Sequence, residues 1–400
     1  MYQNILHTSW VLLQIIVGYN LVLPFLLFCL YKIKSILKKR TASNTASVNI
    51  EADYGIIITA YEQTQSLPAV VTSLLKMNYS NYLIYIVADK CDVSNLHFKD
   101  KRVIVLRPDK VLGSNIRSHF YAIKRFRRAH ERITIIDSDN LVATDYLQQL
   151  NVYFDKGYTA VQGVRKAKNL DTTYSCLDAA RDIYYHFYDG EVLFGLGTSA
   201  TLAGSGMAFT TALYKNCLEH LDVTGAGFDK VLQYEIVKRK ERIAFAKNAV
   251  VFDEKTSQSE QLVKQRARWI NTWFRYFTFG FKLIGKGIQN FNVNQLLFGV
   301  ILLRPPLFMF IILSGIFMLM NVFISPVVAC IWLVSFALFL VGFIIPVSDR
   351  TTDKRVHKSL IKIPVFMLYQ VLSLLKVKRA NSHSVATQHF HNHTIEEIAQ

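Results

Sequence analysis

Two carboxylates, two residues apart, stand just after a short apolar run in a pattern that can bind a metal ion. Asp137 and Asp139 belong to the sequence Asp-Ser-Asp-Asn, which follows the apolar residues 133–136. Carboxylates in this spacing at the end of a strand can share a hard divalent cation, and such a cation commonly holds a diphosphate in proteins. Because aspartate and asparagine are also frequent in turns and helix caps, an ordinary structural turn is the alternative.

Three short β-branched runs, each bounded by polar residues, would position these carboxylates. They are residues 56–59, 83–88 and 133–136. Such runs are typical of buried strands in a parallel sheet, whose carboxyl ends usually carry the ligand site. The polar residues that follow the first two runs are Thr59, Tyr61, Glu62 and Asp89. The pattern therefore predicts an α/β domain with a polar site where the strands end.

The composition places this domain beside a membrane. The chain has 400 residues, of which 51% are hydrophobic, and 46 Lys+Arg against 29 Asp+Glu give a net charge of +17. This apolar share excludes a disordered chain. Long stretches without a charged side chain predict membrane-spanning helices at 8–30, 301–323 and 327–347, since each is long enough to cross a ~30 Å hydrocarbon core. A shorter apolar segment, 363–375, is expected to lie in the membrane interface.

Clusters of basic residues next to these segments predict the orientation of the chain. They are Lys32, Lys34, Lys38, Lys39 and Arg40 after the first segment, and Arg350, Lys354, Arg355 and Lys358 after the third. Because basic residues favour the cytoplasmic side, we expect an integral protein of the inner or plasma membrane whose α/β domain is cytoplasmic. Anionic lipid head groups account for these clusters, and we expect no nucleic-acid partner because no such binding motif accompanies the charge.

The sequence divides into five predicted parts. They are a transmembrane helix with its basic flank (1–40), the α/β domain (41–295), two transmembrane helices (296–348), a basic loop with the interfacial segment (349–380) and a polar tail (381–400). The five scattered cysteines form no Cys-x-x-Cys pair, which argues against a disulfide framework and a structural zinc site. Arg304, at the entrance to the second span, either snorkels to the interface or faces a polar cavity.

Three motifs later in the sequence add further candidate site residues. They are Gly-Ser-Gly-Met (204–207), Phe-Asp-Lys-Val-Leu (228–232) and Gln-Arg-Ala-Arg-Trp (265–269). With the residues at the strand ends, they follow the order and approximate spacing of membrane-bound glycosyltransferases of family 2. The chain resembles the cellulose and hyaluronan synthases and ceramide glucosyltransferase over nearly its whole length. This resemblance implies a GT-A-like nucleotide-sugar-binding domain with a mostly parallel sheet, flanked by transmembrane helices.

The resemblance also implies which residues bind the donor. Tyr61, Glu62 and Asp89 would bind the uridine end of a UDP sugar, Asp137 would hold the ribose or sugar, and Asp139 would bind Mg²⁺ or Mn²⁺. The other substrate-binding positions in the strand-end and glycine motifs would be Thr59, Gly204, Ser205 and Gly206. A cation bridging the two phosphates would neutralise charge as the diphosphate departs, which agrees with the paired carboxylates. For Asp89, a plain turn residue is the alternative.

For the acceptor side, the resemblance places Asp229 at the position of the general base, which takes the proton from the attacking hydroxyl. Gln265 and Arg268 would donate hydrogen bonds to the diphosphate, and Trp269 would lie under an acceptor sugar ring. Two structural alternatives stay open. Asp229 is also a suitable N-terminal residue of a helix, and the segment around Trp269 also fits a basic helix on the membrane surface.

The chain departs from the family pattern at two positions. An aromatic, Phe228, precedes Asp229 where the usual pattern has an acid, and Asn115 stands where relatives often have a lysine near the phosphates, with Arg117 two residues on. The tail around residues 389–394 loosely resembles a histidine-threonine motif of some bacterial members, and the sequence assigns it no role.

The predicted function is inverting transfer of a sugar from a nucleotide diphosphate sugar, with UDP as the expected nucleotide, to a growing polysaccharide at the membrane. A lipid acceptor in the bilayer is the first alternative. A catalytically silent membrane scaffold is the second, and the intact Asp139, Asp229 and Gln-Arg-Ala-Arg-Trp motif argue against it. The expected partners are the donor, a glycan or lipid acceptor and the lipid bilayer, with Mg²⁺ or Mn²⁺ as cofactor.

Overall fold

The structure is a computed structural model that describes residues 2–37, 51–380, 391 and 393–398. Three of the basic residues used above to orient the first span, Lys38, Lys39 and Arg40, lie outside the described residues. So does most of the predicted polar tail.

The α/β domain is built on an eight-stranded mixed sheet with the order β3-β2-β1-β4-β7-β6-β8-β5. The strands are β1 Tyr54–Tyr61, β2 Tyr82–Asp89, β3 Val103–Leu106, β4 Arg132–Asp137, β5 Leu141–Val142, β6 Ala160–Ala167, β7 Met207–Thr210 and β8 Ile243–Asp253. β1 pairs in parallel with β2 and β4, and β2 with β3. β7 runs antiparallel between β4 and β6. The three predicted strands are confirmed as β1, β2 and β4.

The burial of β1 explains why its sequence is apolar on every residue rather than on alternate ones. Ile56, Ile57 and Ile58 are all fully buried. Ile56 and Ile58 belong to one hydrophobic cluster and Ile57 to another, so the two faces of the sheet are both covered. A strand covered on both faces needs a continuous apolar run, which is the pattern that the sequence carries.

Helices surround the sheet and extend from it. In the first half they are α1 Tyr2–Leu37, α2 Leu67–Leu75, α3 Asn115–Ile123, α4 Tyr146–Phe154 and α5 Thr173–Tyr185. A π-helical stretch, His186–Val192, continues α5 into α6 Leu193–Leu196. Then come α7 Thr211–Leu218, α8 Phe228–Lys238, α9 Ser259–Tyr276, α10 Phe279–Gln289, α11 Val293–Leu303, α12 Leu307–Ile324, α13 Pro326–Val347, α14 Lys354–Ser359, α15 Ile363–Leu374 and α16 Ile395–Ile398. The predicted boundary at 295/296 falls inside α11.

Among the described residues, α1, α12 and α13 are the helices long and apolar enough to cross a membrane. α1 is longer than the predicted 8–30. α12 begins at Leu307 rather than at 301, because Pro305 and Pro306 lack an N–H and hold the preceding Arg304 in an extended conformation (φ −60°, ψ 121°). α15 is the segment expected in the interface, and it packs on α9.

The three long helices also share a polar contact. The side-chain oxygen of Gln14 on α1 accepts hydrogen bonds from Asn321 Nδ2 of α12 (2.6 Å) and from Trp332 Nε1 of α13 (2.9 Å). All three side chains are buried. Because a polar group in an apolar layer needs a partner, these bonds fix the mutual arrangement of the three helices.

Candidate active site

One cavity of about 860 Å³ begins at the carboxyl edge of the sheet and continues between the long helices. β1 and β4 end side by side there, with Thr59 opposite Asp137 in the parallel register. The predicted site residues that line this cavity are Thr59, Tyr61, Asp137, Asp139, Gly204, Asp229, Gln265, Arg268 and Trp269. Residues from five separate segments of the sequence therefore meet in one space.

The other predicted site residues do not line the cavity. Glu62 has a left-handed backbone (φ 60°) and pairs with Lys90 at 2.7 Å. Asp89 is buried, and its carboxylate accepts hydrogen bonds from the backbone N–H groups of Leu112 (2.9 Å) and Gly113 (2.8 Å). The Asp89 carboxylate thus anchors the loop that leads to α3. In these positions Glu62 and Asp89 do not join the cavity lining.

Ser205 and Gly206 support the Asp-Ser-Asp-Asn turn from behind. The Ser205 hydroxyl accepts a hydrogen bond from the Asp137 backbone N–H at 3.0 Å. It also donates to the Asn140 side-chain oxygen at 2.7 Å when the amide is oriented so that its nitrogen donates to the Asp139 carboxylate at 3.1 Å. Gly206 has φ 66°, where a side chain is strained, and a Cβ there would lie 3.0 Å from Val251. The glycine-serine motif therefore orients both carboxylates.

Asp137 and Asp139 are the residues that could hold a divalent cation. Asp139 is buried, its carboxylate accepts a hydrogen bond from the Glu254 backbone N–H (3.4 Å), and its carbonyl accepts one from Lys168 Nζ (3.0 Å). Carboxylate oxygens suit Mg²⁺ and Mn²⁺. Within the described part of the chain, no group of three or more acidic, histidine or cysteine side chains is placed to enclose a metal. A cation here would therefore need oxygen ligands from substrate or water.

Asp229 faces the same cavity from the first turn of α8. The helix follows Gly227, which has φ 100° and lies so close to α9 that a Cβ would come within 2.6 Å of Thr272. The Asp229 carboxylate is 3.2 Å from Lys230 Nζ. A carboxylate in the first turn also interacts favourably with the helix dipole. Asp229 therefore lies both at the N-terminus of a helix and in the lining of the cavity.

The Gln-Arg-Ala-Arg-Trp motif lies on α9 and presents three side chains to the cavity. The Gln265 side-chain oxygen accepts a hydrogen bond from Thr256 Oγ1 at 3.1 Å. Burial lowers the pKa of Arg268. Trp269 is 38% exposed, and the guanidinium carbons of Arg181 and Arg266 lie 4.1 and 4.0 Å from its ring centroid. Cation–π contacts of this kind hold the indole in place.

A buried cluster of charges beside Trp269 was missed by the sequence analysis. Its members are Arg165, Asp178, Arg181, Asp182, Asp253, Lys255 and Arg266. Lys255 Nζ is 2.5 Å from Asp182 and 2.6 Å from Asp253, and Arg266 pairs with Asp178. The signal available in the sequence was the spacing of Asp178, Arg181 and Asp182, which puts three charges on one face of an otherwise apolar-periodic helix.

The charges in this cluster shift one another's protonation. Burial raises the pKa of Asp182, but the positive charges of Lys255, Arg181 and Arg165 outweigh it and hold that pKa well below its usual value. Burial and the neighbouring Arg181 lower the pKa of Arg266 to about 10. The ion pairs of the cluster tie α5, β6, β8 and α9 together.

A second buried ion pair lines the cavity next to its membrane end. Arg304 pairs with Asp189, which lies on the π-helical stretch, and both side chains are buried. Of the two readings of Arg304, the structure supports the cavity-facing one. Beyond this pair the lining comes from α12, α13 and α15 and, apart from Gln370 of α15, is apolar. It includes Ile311, Phe336, Phe339, Leu340, Phe343, Phe366 and Met367.

The fold and this site define a nucleotide-sugar-binding α/β domain of the GT-A type. The sequence matches the glycosyltransferase like family 2 over residues 52–272, more than half of the chain, and the chain belongs to that family. The predicted family and fold class are confirmed. The chain is a glycosyltransferase that transfers a sugar from a nucleotide sugar.

Solved structures with a similar fold include the mannosyltransferase PcManGT from Pyrobaculum calidifontis in complex with GDP-Man and Mn²⁺. It is 13% identical, with a TM-score of 0.55, and the match covers 92% of this chain and 99% of that one. S. aureus TarS is 14% identical with a TM-score of 0.39, over 58% of this chain and 40% of its own. At this level of identity the first likeness establishes the fold alone. No curated protein matches the sequence.

Proposed function

We propose that the protein transfers a sugar, with inversion at the anomeric carbon, from a nucleotide diphosphate sugar to a hydroxyl group of a lipid in the bilayer. The observation that carries this proposal is the single cavity that joins the carboxylates at the sheet edge to an apolar space between the long helices. A lipid can enter that space from the side, with its chain among aromatic and aliphatic residues and its hydroxyl near Asp229.

The residues at the sheet edge divide the chemistry between them. Asp137 and Asp139 would hold the cation, with Mn²⁺ supported by the GDP-Man and Mn²⁺ complex of the similarly folded mannosyltransferase. When bound, a divalent cation neutralises charge on the diphosphate. Gln265 and Arg268 would donate hydrogen bonds to the same phosphates. Tyr61, which lines the cavity at the end of β1, would contact the nucleotide base.

Asp229 would act as the general base. Its carboxylate accepts the proton from the acceptor hydroxyl as that oxygen attacks the anomeric carbon, and the bond from this carbon to the diphosphate oxygen breaks. The Lys230 ammonium group, 3.2 Å from this carboxylate, lines the same cavity. A hydroxyl acceptor gives Asp229 this task, whereas an acceptor that is already an anion would not need it.

Elongation of a polysaccharide remains a prediction, and the contacts of the long helices favour the lipid acceptor over it. A polymer would need a polar route across the bilayer. Two of the polar side chains that would line such a route, Gln14 and Asn321, are buried and bonded to each other. The third, Arg304, is paired with Asp189. The ring of Trp269, which would stack on a held glycan, contacts two arginines.

The acceptor class can be tested with purified protein in lipid vesicles. A panel of radiolabelled UDP and GDP sugars is added with Mn²⁺, and the label is partitioned between organic solvent and water. We expect the label in the organic phase as a lipid carrying one sugar, with Asp229→Asn as the inactive control. Label in water-soluble material that elutes as a large species on gel filtration would reject the lipid acceptor and favour the polysaccharide.

We also propose that the catalytic domain faces the cytoplasm, as the basic flanks indicate. The test uses intact cells, a membrane-impermeant thiol reagent and a parent in which the exposed Cys330 is replaced by serine. Thr352→Cys, after α13, should react only once the cells are opened. Ser325→Cys, between α12 and α13, should react in intact cells. The reverse pattern would overturn the orientation.

A further inference from the structure

The last described residues of the chain return to the catalytic domain. Ile395 in α16 is 8% exposed and belongs to the hydrophobic cluster that contains Leu141 and Val142, and Ile398 packs against the same cluster. The Glu397 carboxylate accepts a hydrogen bond from the Thr394 N–H at 3.0 Å, which closes the turn. Burying the Ile395 side chain removes apolar surface from water, which favours the docked position of this short segment.

His391 connects this docked segment to a loop of the active site. Its backbone N–H donates a hydrogen bond to the Glu254 carboxylate at 3.3 Å. Its ring Nε2 lies 3.4 Å from Ser257 Oγ and 3.5 Å from Asp171 Oδ2. Glu254 and Ser257 both belong to residues 254–258, the loop between β8 and α9. The segment therefore supports this loop at two points.

The loop joins the two parts of the proposed donor site. At one end the Glu254 N–H donates to the Asp139 carboxylate (3.4 Å), and further along Thr256 Oγ1 donates to Gln265 (3.1 Å). Asn169 holds the middle of the loop, because its side chain bonds both the N–H of Lys255 (2.7 Å) and its carbonyl (3.0 Å). A shift of the loop would move the metal-binding carboxylate relative to the phosphate-binding glutamine.

We propose that residues 391–398 position the donor site through this loop, with His391 as the positioning residue. The inference rests on the donor-site assignment made under the proposed function. Without the segment, the loop would sample more conformations, and donor binding would then have to order it at a cost in entropy. Donor affinity should therefore fall, while the proton transfer at Asp229 and the membrane end of the cavity are unaffected.

The test compares full-length variants. His391→Ala removes the ring contacts, and Ile395→Asp releases the segment from its hydrophobic cluster. His97→Ala is the matched control, because it removes an exposed histidine ring that lies outside both the segment and the loop. Binding of UDP and of GDP, each with Mn²⁺, is measured by calorimetry. Amide hydrogen exchange of residues 254–258 is measured without nucleotide.

We expect His391→Ala and Ile395→Asp to bind the nucleotide about 3–10-fold more weakly, the equivalent of one lost hydrogen bond, and to exchange faster in the loop. His97→Ala should match the wild type, and His391→Asn, which keeps a donor for Asp171, should recover part of the affinity. Unchanged affinity and exchange in Ile395→Asp would overturn the inference. A wild type that binds neither nucleotide would count against the proposed function, and loop exchange would still decide whether the segment holds the loop.

Discussion

At the sheet edge, the wall of the cavity consists of carboxylates and amides fixed by hydrogen bonds from the backbone, whereas between α12 and α13 it consists of aromatic and aliphatic side chains. Asp137 receives support from Ser205, and Asp139 from Glu254 and Lys168. The aromatic and aliphatic side chains that line the apolar end are held by packing. The difference indicates that the sheet edge selects its ligand by the orientation of polar groups, which suits the charged donor that we propose. The space between the helices selects by size and polarity, which suits a flexible lipid.

The largest effect is expected from removing the Asp139 carboxylate, which we propose binds the metal. Asp139→Asn, or chelation of divalent ions in the wild type, should lower turnover by about 10³-fold or more, because stabilisation of the leaving diphosphate by a metal supplies several kcal/mol. The measurement is nucleoside diphosphate release.

Asp109→Asn, which changes an exposed aspartate, is the control and should retain full activity. Full turnover of Asp139→Asn in excess chelator would remove Asp139 from the site.

The second change separates chemistry from binding at the same end. Asp229→Asn keeps the shape of the side chain but cannot accept a proton, so turnover should fall by about 10²–10⁴-fold while nucleotide affinity stays near that of the wild type. Single-turnover kinetics and calorimetry measure the two quantities. Unchanged turnover would leave Asp229 with only its helix-terminal role.

The third change tests the apolar end. Leu340→Trp on α13 adds volume to the cavity lining and should raise the KM for a lipid acceptor about tenfold, since overpacking costs about 1–3 kcal/mol, with donor affinity unchanged. Leu333→Trp alters an exposed leucine of the same helix that is outside the lining, and should behave as the wild type. Equal effects of both substitutions would mean that the space between the helices does not hold the acceptor.

The smallest expected effect concerns the charged cluster between the two ends. The pKa of Asp182 in the folded protein lies well below its unfolded value of about 3.9. The ionised Asp182 side chain therefore contributes its full stabilisation above the unfolded pKa, and this contribution is lost as the pH falls from there through the folded pKa. Unfolding of Asp182→Asn should therefore take up one proton fewer in the acid range. The free energy of unfolding should then change with pH by about 1.4 kcal/mol less per pH unit than in the wild type. Thermal unfolding in detergent, followed by tryptophan fluorescence between pH 3 and 7, measures this slope. Identical slopes for the wild type and Asp182→Asn would contradict the ion pairing assigned to Asp182.

The polar end could be predicted from the sequence far better than the apolar end, for a physical reason. Asp137 and Asp139 are near each other in sequence and follow a buried strand, so local pattern and sheet topology already place them together. The apolar run of 305–348 looks the same whether a side chain faces lipid, another helix or a cavity. Only the packing of the helices distinguishes Leu340 in the lining from Leu333 outside it.

The buried charges were beyond local reasoning because each partner comes from a different element. Arg266 on α9 and Asp178 on α5 are 88 residues apart, and basic residues in an apolar-periodic helix ordinarily face solvent. The strands β6 and β8 also escaped prediction. β6 carries Arg165 and Lys166, whose charges hide the alternation expected of a strand until their partners are known.

The contact between Gln14 and Asn321 has a consequence for how the protein is made. The two residues are 307 positions apart, so at a translation rate of about 5–20 residues per second the ribosome needs on the order of 15–60 s to produce the second after the first. Through that interval α1 is already available for membrane insertion, with its glutamine side chain awaiting α12 and α13. Biogenesis of this enzyme therefore has a late assembly step, in which α1 gains its contacts with α12 and α13 only after the α/β domain has been synthesised.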